Sequence, residues 1–196
     1  MRPLAASIRM CAGAETAAAA APPTAEEEGP SPFEMLDVRV GKIVEAWEHP
    51  DSDKLWCERI DVGEEEPREI ASGLRAYYAT ADLLQDRKVL VVCNLKPAKL
   101  GGFASNGMVL CASSEDRSTV AFVEPPEDAE PGERVLCEGM EAVEPASANK
   151  VKKKKLMEKA AEELRAVETV ATYRGTPLVA ASGKCISPTV SSGTIN

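Results

Sequence analysis

Residues 36–44 of the chain read LDVRVGKIV, and this stretch decides the fold class. The apolar side chains at 36, 38 and 40 alternate with Asp37 and Arg39, which is the period of a half-buried β-strand. Gly41 interrupts the alternation, and the apolar residues 43 and 44 resume it in a shifted phase. Such an interruption is typical of a strand that bends around the corner of a barrel. The stretch therefore predicts a long, coiled first strand.

Further short strands follow at the spacing of a small barrel. They are predicted at 54–62, 69–71, 89–93, 108–112, 120–123 and 134–137. The run 89–93, Val-Leu-Val-Val-Cys, is apolar without a break, so we expect a central strand that is buried on both faces. A short helix is predicted around 79–85, between the third and fourth strands. This order predicts a mainly β fold, namely a five-stranded oligonucleotide/oligosaccharide-binding (OB) barrel with added strands.

Three segments of different composition divide the chain. Residues 1–32 are rich in alanine, proline and glutamate, and predict a disordered tail. Arg2 and Arg9, with no acidic residue before Glu15, leave an organellar transit peptide open as the alternative. Residues 33–145 form the predicted barrel. Residues 146–196 predict an extension that packs on the barrel, with a helix over 150–167 and β-type stretches at 170–173 and 178–186, since so few residues would barely fold alone.

Composition narrows the classes of partner and chemistry. No run approaches the ~18 apolar residues of a membrane span, so we expect a soluble protein without a membrane partner. Six cysteines without a Cys-x-x-Cys pair, together with one histidine, predict buried thiols in a reducing compartment and no metal or other cofactor. A cytoplasmic protein is expected, or an organellar one if residues 1–30 act as a transit peptide.

Charge is distributed unevenly along a chain whose net charge is −9. Residues 33–145 hold 12 basic and 24 acidic side chains, whereas residues 146–196 hold nine basic and four acidic ones. A local cluster of charge governs what binds to it within about 8 to 10 Å. An acidic barrel with a basic extension can therefore still attract a polyanion.

The segment between the predicted central strand and the next one has the composition of a phosphate-binding loop. It runs from Asn94 to Met108 and reads NLKPAKLGGFASNGM. Lys96 and Lys99 supply charge, and the paired glycines allow a close approach of the backbone to a phosphate. Ser105 and Asn106 can bond base edges or a ribose hydroxyl, and Met108 offers an apolar face. By composition alone, a solvated turn is the more common reading of such a loop.

Several ordered motifs occur together along about 160 of the 196 residues. They are Leu36–Gly41, His49–Asp53, Ile60–Gly63, Ser72–Leu74, Asn94–Lys99, Ser105–Met108 and Val170–Gly175. In these motifs the sequence strongly resembles the C-terminal tRNA-binding domain of the family of endothelial-monocyte-activating polypeptide II and the yeast synthetase cofactor.

The resemblance implies a barrel that recognises tRNA by shape and backbone, with no catalytic step. It implies RNA contacts by Asn94, Lys96, Lys99, Ser105 and Met108, to which the loop chemistry adds Asn106 and the last motif adds Arg174. It also implies aminoacyl-tRNA synthetases as partners. The extension would imitate the second subunit of dimeric bacterial relatives, so a monomer is expected.

The sequence departs from the family pattern at positions where cations are common. Trp47 and Glu48 stand where the family tends to have basic residues, and Gly101 stands where an arginine is common. We therefore expect weaker RNA affinity than in a typical member. Trp47 and Trp56 remain open between nucleotide stacking and a place in the core or at a dimer face.

The extension carries a lysine tract, and Lys152, Lys153, Lys154 and Lys155 are its candidate phosphate contacts. If these lysines begin a helix, they oppose its macrodipole by about 0.3 to 1 kcal/mol each, which favours a functional role. A solvated tract or a localisation signal is the alternative.

The sequence thus predicts a non-catalytic tRNA-binding protein that binds and presents tRNA to synthetases. A protein-interaction or signalling module of the same fold, with weak RNA binding, is the alternative that the acidic barrel supports. Catalysis is not expected, because His49 is the single histidine and lies in a turn.

Overall fold

The structure, a computed structural model, describes residues 29–196. Residues 1–28 of the tail predicted over 1–32, the transit-peptide alternative and Cys11 lie outside the described residues. The strands are β1 Val38–Glu48, β2 Trp56–Asp61, β3 Arg68–Ser72, β4 Lys88–Val92, β5 Ala98–Leu100, β6 Phe103–Ser105, β7 Met108–Val109, β8 Cys111–Ser114, β9 Val120–Phe122, β10 Leu136–Cys137, β11 Leu164–Val167, β12 Val170–Tyr173, β13 Thr176–Ala180, β14 Gly183–Lys184 and β15 Ser192–Ile195. The helices are α1 Ala148–Lys154, α2 Leu156–Ala161 and a short 3₁₀ helix, Ala81–Leu83.

The barrel is a five-stranded antiparallel sheet in the order β3-β2-β1-β4-β7. It is nearly closed, because the segment before β7 meets β3. The Asn106 N–H donates to the Glu69 carbonyl at 2.8 Å, and the Ala71 N–H donates to the Ser105 hydroxyl at 3.1 Å. The predicted fold class, an OB barrel with a docked extension, is confirmed.

The long first strand bends as predicted, but the irregularity lies beyond Gly41. Its register against β2 shifts between Ile43 and Glu45, which leaves Val44 unpaired and 39% exposed. Gly41 serves packing instead. A Cβ there would lie 2.7 Å from the Ile60 side chain and 2.9 Å from the Val91 side chain, closer than methyl groups pack.

A second sheet contains strands of both parts, in the order β10-β13-β12-β11-β15-β8-β9, with β14 paired to β13. Strands β8, β9 and β10 come from residues 33–145, and the others come from the extension. Strand β15 lies between β8 of the barrel and β11 of the extension. One core spans both parts and unites Val38, Leu90 and Leu110 with Leu156 and Leu164. A separate core of the barrel includes Trp56 and Phe122.

The helix predicted over 150–167 is wrong in its extent. Residues 148–154 form α1, Lys155 breaks it in a left-handed conformation (φ 52), and α2 ends at Ala161. Residues 164–167 are strand β11, because Leu164 and Ala166 are buried while Arg165 and Val167 face solvent, the period of a strand.

The lysine tract therefore lies at the end of a helix rather than at its start. Ser147 caps α1, since its hydroxyl accepts a hydrogen bond from the Lys150 N–H at 3.4 Å. Lys152, Lys153 and Lys154 occupy the last turn, where positive charge favours the macrodipole. The tract therefore has no dipole penalty that would indicate a function. Lys152 to Lys155 are all exposed.

Candidate nucleic-acid interface

The hairpin β5–β6 presents the predicted loop, and His49 holds it to the barrel. The His49 Nδ1 accepts from the Asp51 N–H at 3.1 Å, so Nε2 carries the hydrogen that it shares with the Leu100 carbonyl at 3.2 Å. The imidazole is 3% exposed. Its two nitrogens are thus both occupied, and His49 acts as a clamp between a turn and the hairpin.

Gly101 makes the tip of the hairpin compatible with that clamp. Its φ is +57°, and a Cβ at this position would lie 2.8 Å from His49 Cε1. Any side chain would therefore strain the backbone and press on the imidazole. The absence of the arginine that is common at this position fits the close approach of His49.

Lys96 and Lys99 are exposed on this loop. Within residues 29–196, neither ammonium lies within 4.0 Å of a carboxylate. In contrast, Arg39, Arg59, Arg68, Arg75 and Arg87 are each paired with at least one acidic side chain. The two loop lysines are therefore available to an external anion, whereas the charge of these arginines is already balanced.

Asn94 ties the start of this loop to two other segments. Its Nδ2 donates to the Met35 carbonyl at 3.0 Å and to the Ala146 carbonyl at 2.9 Å. Its Oδ1 accepts from the Asp37 N–H at 2.9 Å. Asn94 thus places the loop beside residue 146, one position before the cap of α1.

The other predicted loop residues differ in their accessibility. Ser105 is buried, and its hydroxyl closes the barrel by accepting from the Ala71 N–H and donating to the Gly107 carbonyl at 3.1 Å. Met108 is half-buried and packs against the shared core. Asn106 is half-buried, and its carbonyl accepts from Arg68 at 3.0 Å. RNA contact by these residues stays a prediction.

Arg174 lies at the turn between β12 and β13, in a left-handed conformation with φ 51 followed by Gly175 with φ 78. It is exposed, and its guanidinium carbon lies 5.5 Å from the ring centre of Tyr173. Its N–H donates to the Glu163 carbonyl at 3.1 Å, so the turn meets the end of α2. The lysine tract, at the end of α1, and Arg174, beside the residues that follow α2, thus both belong to the helical part of the extension.

An acidic groove of about 1350 Å³ adjoins the loop on the barrel surface. Its walls include five glutamates, Glu45, Glu64, Glu65, Glu66 and Glu69, and two arginines, Arg59 and Arg68. Both arginines are neutralised, Arg59 by Glu45 at 3.0 Å and Arg68 by Glu64 at 2.6 Å. Leu95, Pro97 and Asn106 form the side nearest the loop, and Lys96 and Lys99 do not line it. The lysines therefore stand outside a groove that repels polyanions.

The two tryptophans have separate places. Trp56 is 1% exposed, and its indole N–H donates to the Tyr78 carbonyl at 3.0 Å, so it belongs to the core. Trp47 is half-buried, meets the edge of Phe103 at 6.0 Å and has the Arg59 guanidinium 5.8 Å from its ring centre. The Trp47–Phe103 contact and the groove were not foreseen, because each joins residues from several elements.

The cysteines in the described part of the chain are buried thiols. All five are free. Burial raises the pKa of Cys93 to about 11 and that of Cys185 to about 12, so these thiols stay protonated. Across residues 29–196, no three histidine, cysteine, aspartate or glutamate side chains are grouped to hold a metal ion. No helix in this range is long and apolar enough to cross a membrane.

Comparison with known proteins places this geometry in a family. Residues 38–134 match the family model described as "Putative tRNA binding domain". The C-terminal domain of Plasmodium vivax p43 superposes with a TM-score of 0.77 at 34% identity, covering 84% of this chain and 98% of that domain.

Longer proteins share the same region. A probable methionine–tRNA ligase of Oryza sativa subsp. japonica is 45% identical over 161 residues, which are 82% of this chain and 20% of that protein. The aminoacyl tRNA synthase complex-interacting multifunctional protein 1 of Cricetulus griseus is 38% identical over 177 residues, 89% of this chain and 48% of that protein. The chain thus spans from a fifth to about half of the length of these relatives. In its barrel, its docked extension and its motifs, the chain belongs to the tRNA-binding domain family that its sequence indicates.

Proposed function

We propose that this chain is a non-catalytic tRNA-binding protein that binds and presents tRNA to aminoacyl-tRNA synthetases. The observation that carries the proposal is the pair of exposed lysines, Lys96 and Lys99, which have no carboxylate partner in the described residues. Their loop lies beside α1, the helix that carries the lysine tract, because Asn94 donates a hydrogen bond to the Ala146 carbonyl. Cations without internal partners, outside an acidic groove, suit the phosphate backbone of a folded RNA.

The proposed contacts divide by chemistry. Lys96, Lys99 and the tract Lys152 to Lys155 supply phosphate contacts that depend on salt. Arg174, Asn106 and Met108 supply contacts to sugar, phosphate or base at the margins of this surface. Asn94 and Ser105 are proposed to hold the loop in place, since their polar atoms bond within the chain.

The biological setting follows from the family and remains part of the proposal. Synthetases are proposed as partners, because the curated relatives include tyrosine– and methionine–tRNA ligases and a protein named for interaction with the synthetase complex. A cytoplasmic location is proposed, since relatives carry that designation. We also propose a monomer, in which the docked extension covers one side of the barrel.

A test measures tRNA affinity by fluorescence anisotropy across a range of salt concentrations. Lys96→Ala/Lys99→Ala is expected to weaken binding and to reduce the slope of log K against log salt by about 1.4 to 1.8, since each lost phosphate contact removes about 0.7 to 0.9. The matched control is Lys42→Ala/Lys184→Ala, which removes the same charge from lysines paired with Asp86 and Glu138.

Equal effects of the two double variants would show that the loop has no specific role. No measurable tRNA binding by the unaltered chain at low salt would exclude the proposed function itself.

The acidic groove favours a second candidate, a protein-interaction module with weak RNA binding. Five glutamates around an open groove suit a basic protein surface better than a nucleic acid. Retention of synthetases in a pull-down, combined with no retention of tRNA on a filter at low salt, would favour this candidate over the first.

A further inference from the structure

The side-chain nitrogen and oxygen of Asn94 both form hydrogen bonds within the protein. Both Nδ2 hydrogens are donated, one to the Met35 carbonyl and one to the Ala146 carbonyl, at 3.0 and 2.9 Å. The Oδ1 accepts from the Asp37 N–H, so the orientation of the amide is fixed by three separate partners. No donor of this side chain is left for an RNA phosphate, although the family resemblance implies a contact role at this position.

Of the three bonds, the one to the Ala146 carbonyl joins the two basic parts of the surface, and those to Met35 and Asp37 fix the side chain that makes it. Lys96 follows Asn94 by two residues, and Lys150 follows Ala146 by four. The path from one lysine to the other therefore consists of six backbone steps, which span about 20 Å when fully extended, and one side-chain hydrogen bond. Leu95, next to Asn94, packs against the core that the barrel and the extension share.

A fixed joint changes how two weak cationic arms bind one ligand. When both arms are held at a set separation, binding of the first makes binding of the second an intramolecular event. Side chains on two independently moving segments lack this advantage, since each must be ordered separately. The shared core and β15 hold the extension to the barrel, and the joint at Asn94 governs how firmly the loop itself is held beside the tract.

We infer that Asn94 is a positioning residue for RNA binding: it touches no RNA, and holds the loop of Lys96 and Lys99 and the lysine helix α1 as a single rigid surface for one phosphate backbone. The inference rests on the proposed function and deepens it.

The test is a double-mutant cycle on tRNA affinity. One arm is removed by Lys96→Ala/Lys99→Ala, the other by Lys152→Ala/Lys153→Ala/Lys154→Ala, and the two sets are also combined. The cycle is repeated with Asn94→Leu, which removes all three bonds, and with Asn94→Asp, which places a carboxylate against two carbonyl oxygens. Asn149→Asp is the matched control, since Asn149 is exposed on α1 and its replacement by aspartate adds the same charge beside the lysines.

With Asn94 present, the product of the two single losses of affinity is expected to exceed the combined loss by about tenfold, the sign of arms that bind together. With Asn94→Leu or Asn94→Asp, the two values are expected to agree within about twofold, while Asn149→Asp keeps the tenfold excess. Circular dichroism and thermal unfolding identify which variants are folded.

Three results would overturn the inference. A tenfold excess that survives in a folded Asn94 variant shows that other contacts hold the arms. A loss of affinity in that variant with the excess unchanged shows that Asn94 contacts RNA directly. If the two arms contribute independently to tRNA affinity in the unaltered chain, the proposed joint is refuted without any Asn94 variant. If the unaltered chain binds no tRNA, the proposed function fails instead, and the two failures are distinct.

Discussion

Cys111 and Asn196 exchange both backbone hydrogen bonds: the Cys111 N–H donates to the Asn196 carbonyl at 2.8 Å, and the Asn196 N–H donates to the Cys111 carbonyl at 3.0 Å. The pair continues the ladder in which Ile195, Thr194 and Gly193 face Ala112, Ser113 and Ser114. Strand β15 is therefore the seam that fastens the extension to the barrel.

The seam depends on the missing side chain of Gly193. A Cβ there would lie 2.0 Å from the Ser113 carbonyl oxygen, so the backbones must separate to accept one. Gly193→Ala is expected to lower the free energy of unfolding by about 1 to 3 kcal/mol, measured by urea denaturation. Gly73→Ala is the control, because open space surrounds Gly73, and little change is expected there. Equal free energies of unfolding for the two variants would show that the close approach of β15 to β8 at Gly193 does not require a glycine.

Glu58 makes the stability of the barrel depend on pH. Its carboxyl is fully buried and accepts from the Ser72 hydroxyl at 2.6 Å, and burial raises its pKa to about 7. The folded state then binds the proton more tightly than the unfolded state, whose pKa is 4.5. Stability is therefore full below pH 4.5 and falls as the pH rises to about 7, by on the order of 3 kcal/mol.

The amide of Glu58→Gln mimics the protonated carboxyl. At pH 8 this variant is expected to unfold at higher urea concentration than the unaltered chain, whereas below pH 4.5 the two should nearly coincide. Glu66→Gln, at an exposed glutamate, should shift neither curve appreciably. Parallel stability curves for Glu58→Gln and the unaltered chain across this range would show that the buried carboxyl is not the source.

The lysine tract is expected to set the salt dependence of RNA binding. Replacing Lys152, Lys153 and Lys154 by alanine should reduce the slope of log K against log salt by about 2 to 3, because up to three phosphate contacts are lost. Alanine suits the helix, so folding should be retained. Arginine at the same three positions keeps the charge and should restore the slope. A slope that alanine leaves unchanged would assign these lysines to solvent.

The acidic groove is expected to restrain RNA binding. Glu65 and Glu66 line the groove and have no cationic partner within 4.0 Å among residues 29–196. Glu65→Gln/Glu66→Gln should raise tRNA affinity about two- to fivefold at low salt, since repulsion of phosphates is reduced. The same change of charge in Glu127→Gln/Asp128→Asn, which lies elsewhere on the surface, should raise it less. Equal gains would attribute the effect to net charge alone.

Sequence reasoning succeeded where a strong local pattern coincided with burial. The alternation at 36–40 leads into β1. All but the last residue of the apolar run at 89–93 lies in β4, an interior strand with Val89 to Val92 buried. It failed at residues 164–167, since the helical spacing of Leu156, Ala160 and Leu164 hid a four-residue strand. That strand is defined by partners outside its own segment, β12 and β15.

In the candidate site, too, local features were predictable from the sequence and long-range contacts were not. The lysines on the loop after β4 were predicted from composition and from the resemblance. The start of α1 was misplaced, although Ser147 is a helix-capping residue type at the observed cap position. The internal bonds of Asn94 and the charge of the groove were not readable, because Met35 and Ala146, or Glu45 and Glu64, meet only after the chain has folded.

The place of β15 also has a consequence for the kinetics of folding. Strands β1 to β3 pair with near neighbours in the sequence, whereas Ile195 must find Ala112 across the whole intervening chain. Pairing at such separation closes a long loop and is slow to nucleate. Refolding should consequently show an early phase that buries Trp56 in the barrel, followed by a later one in which the extension gains protection from hydrogen exchange.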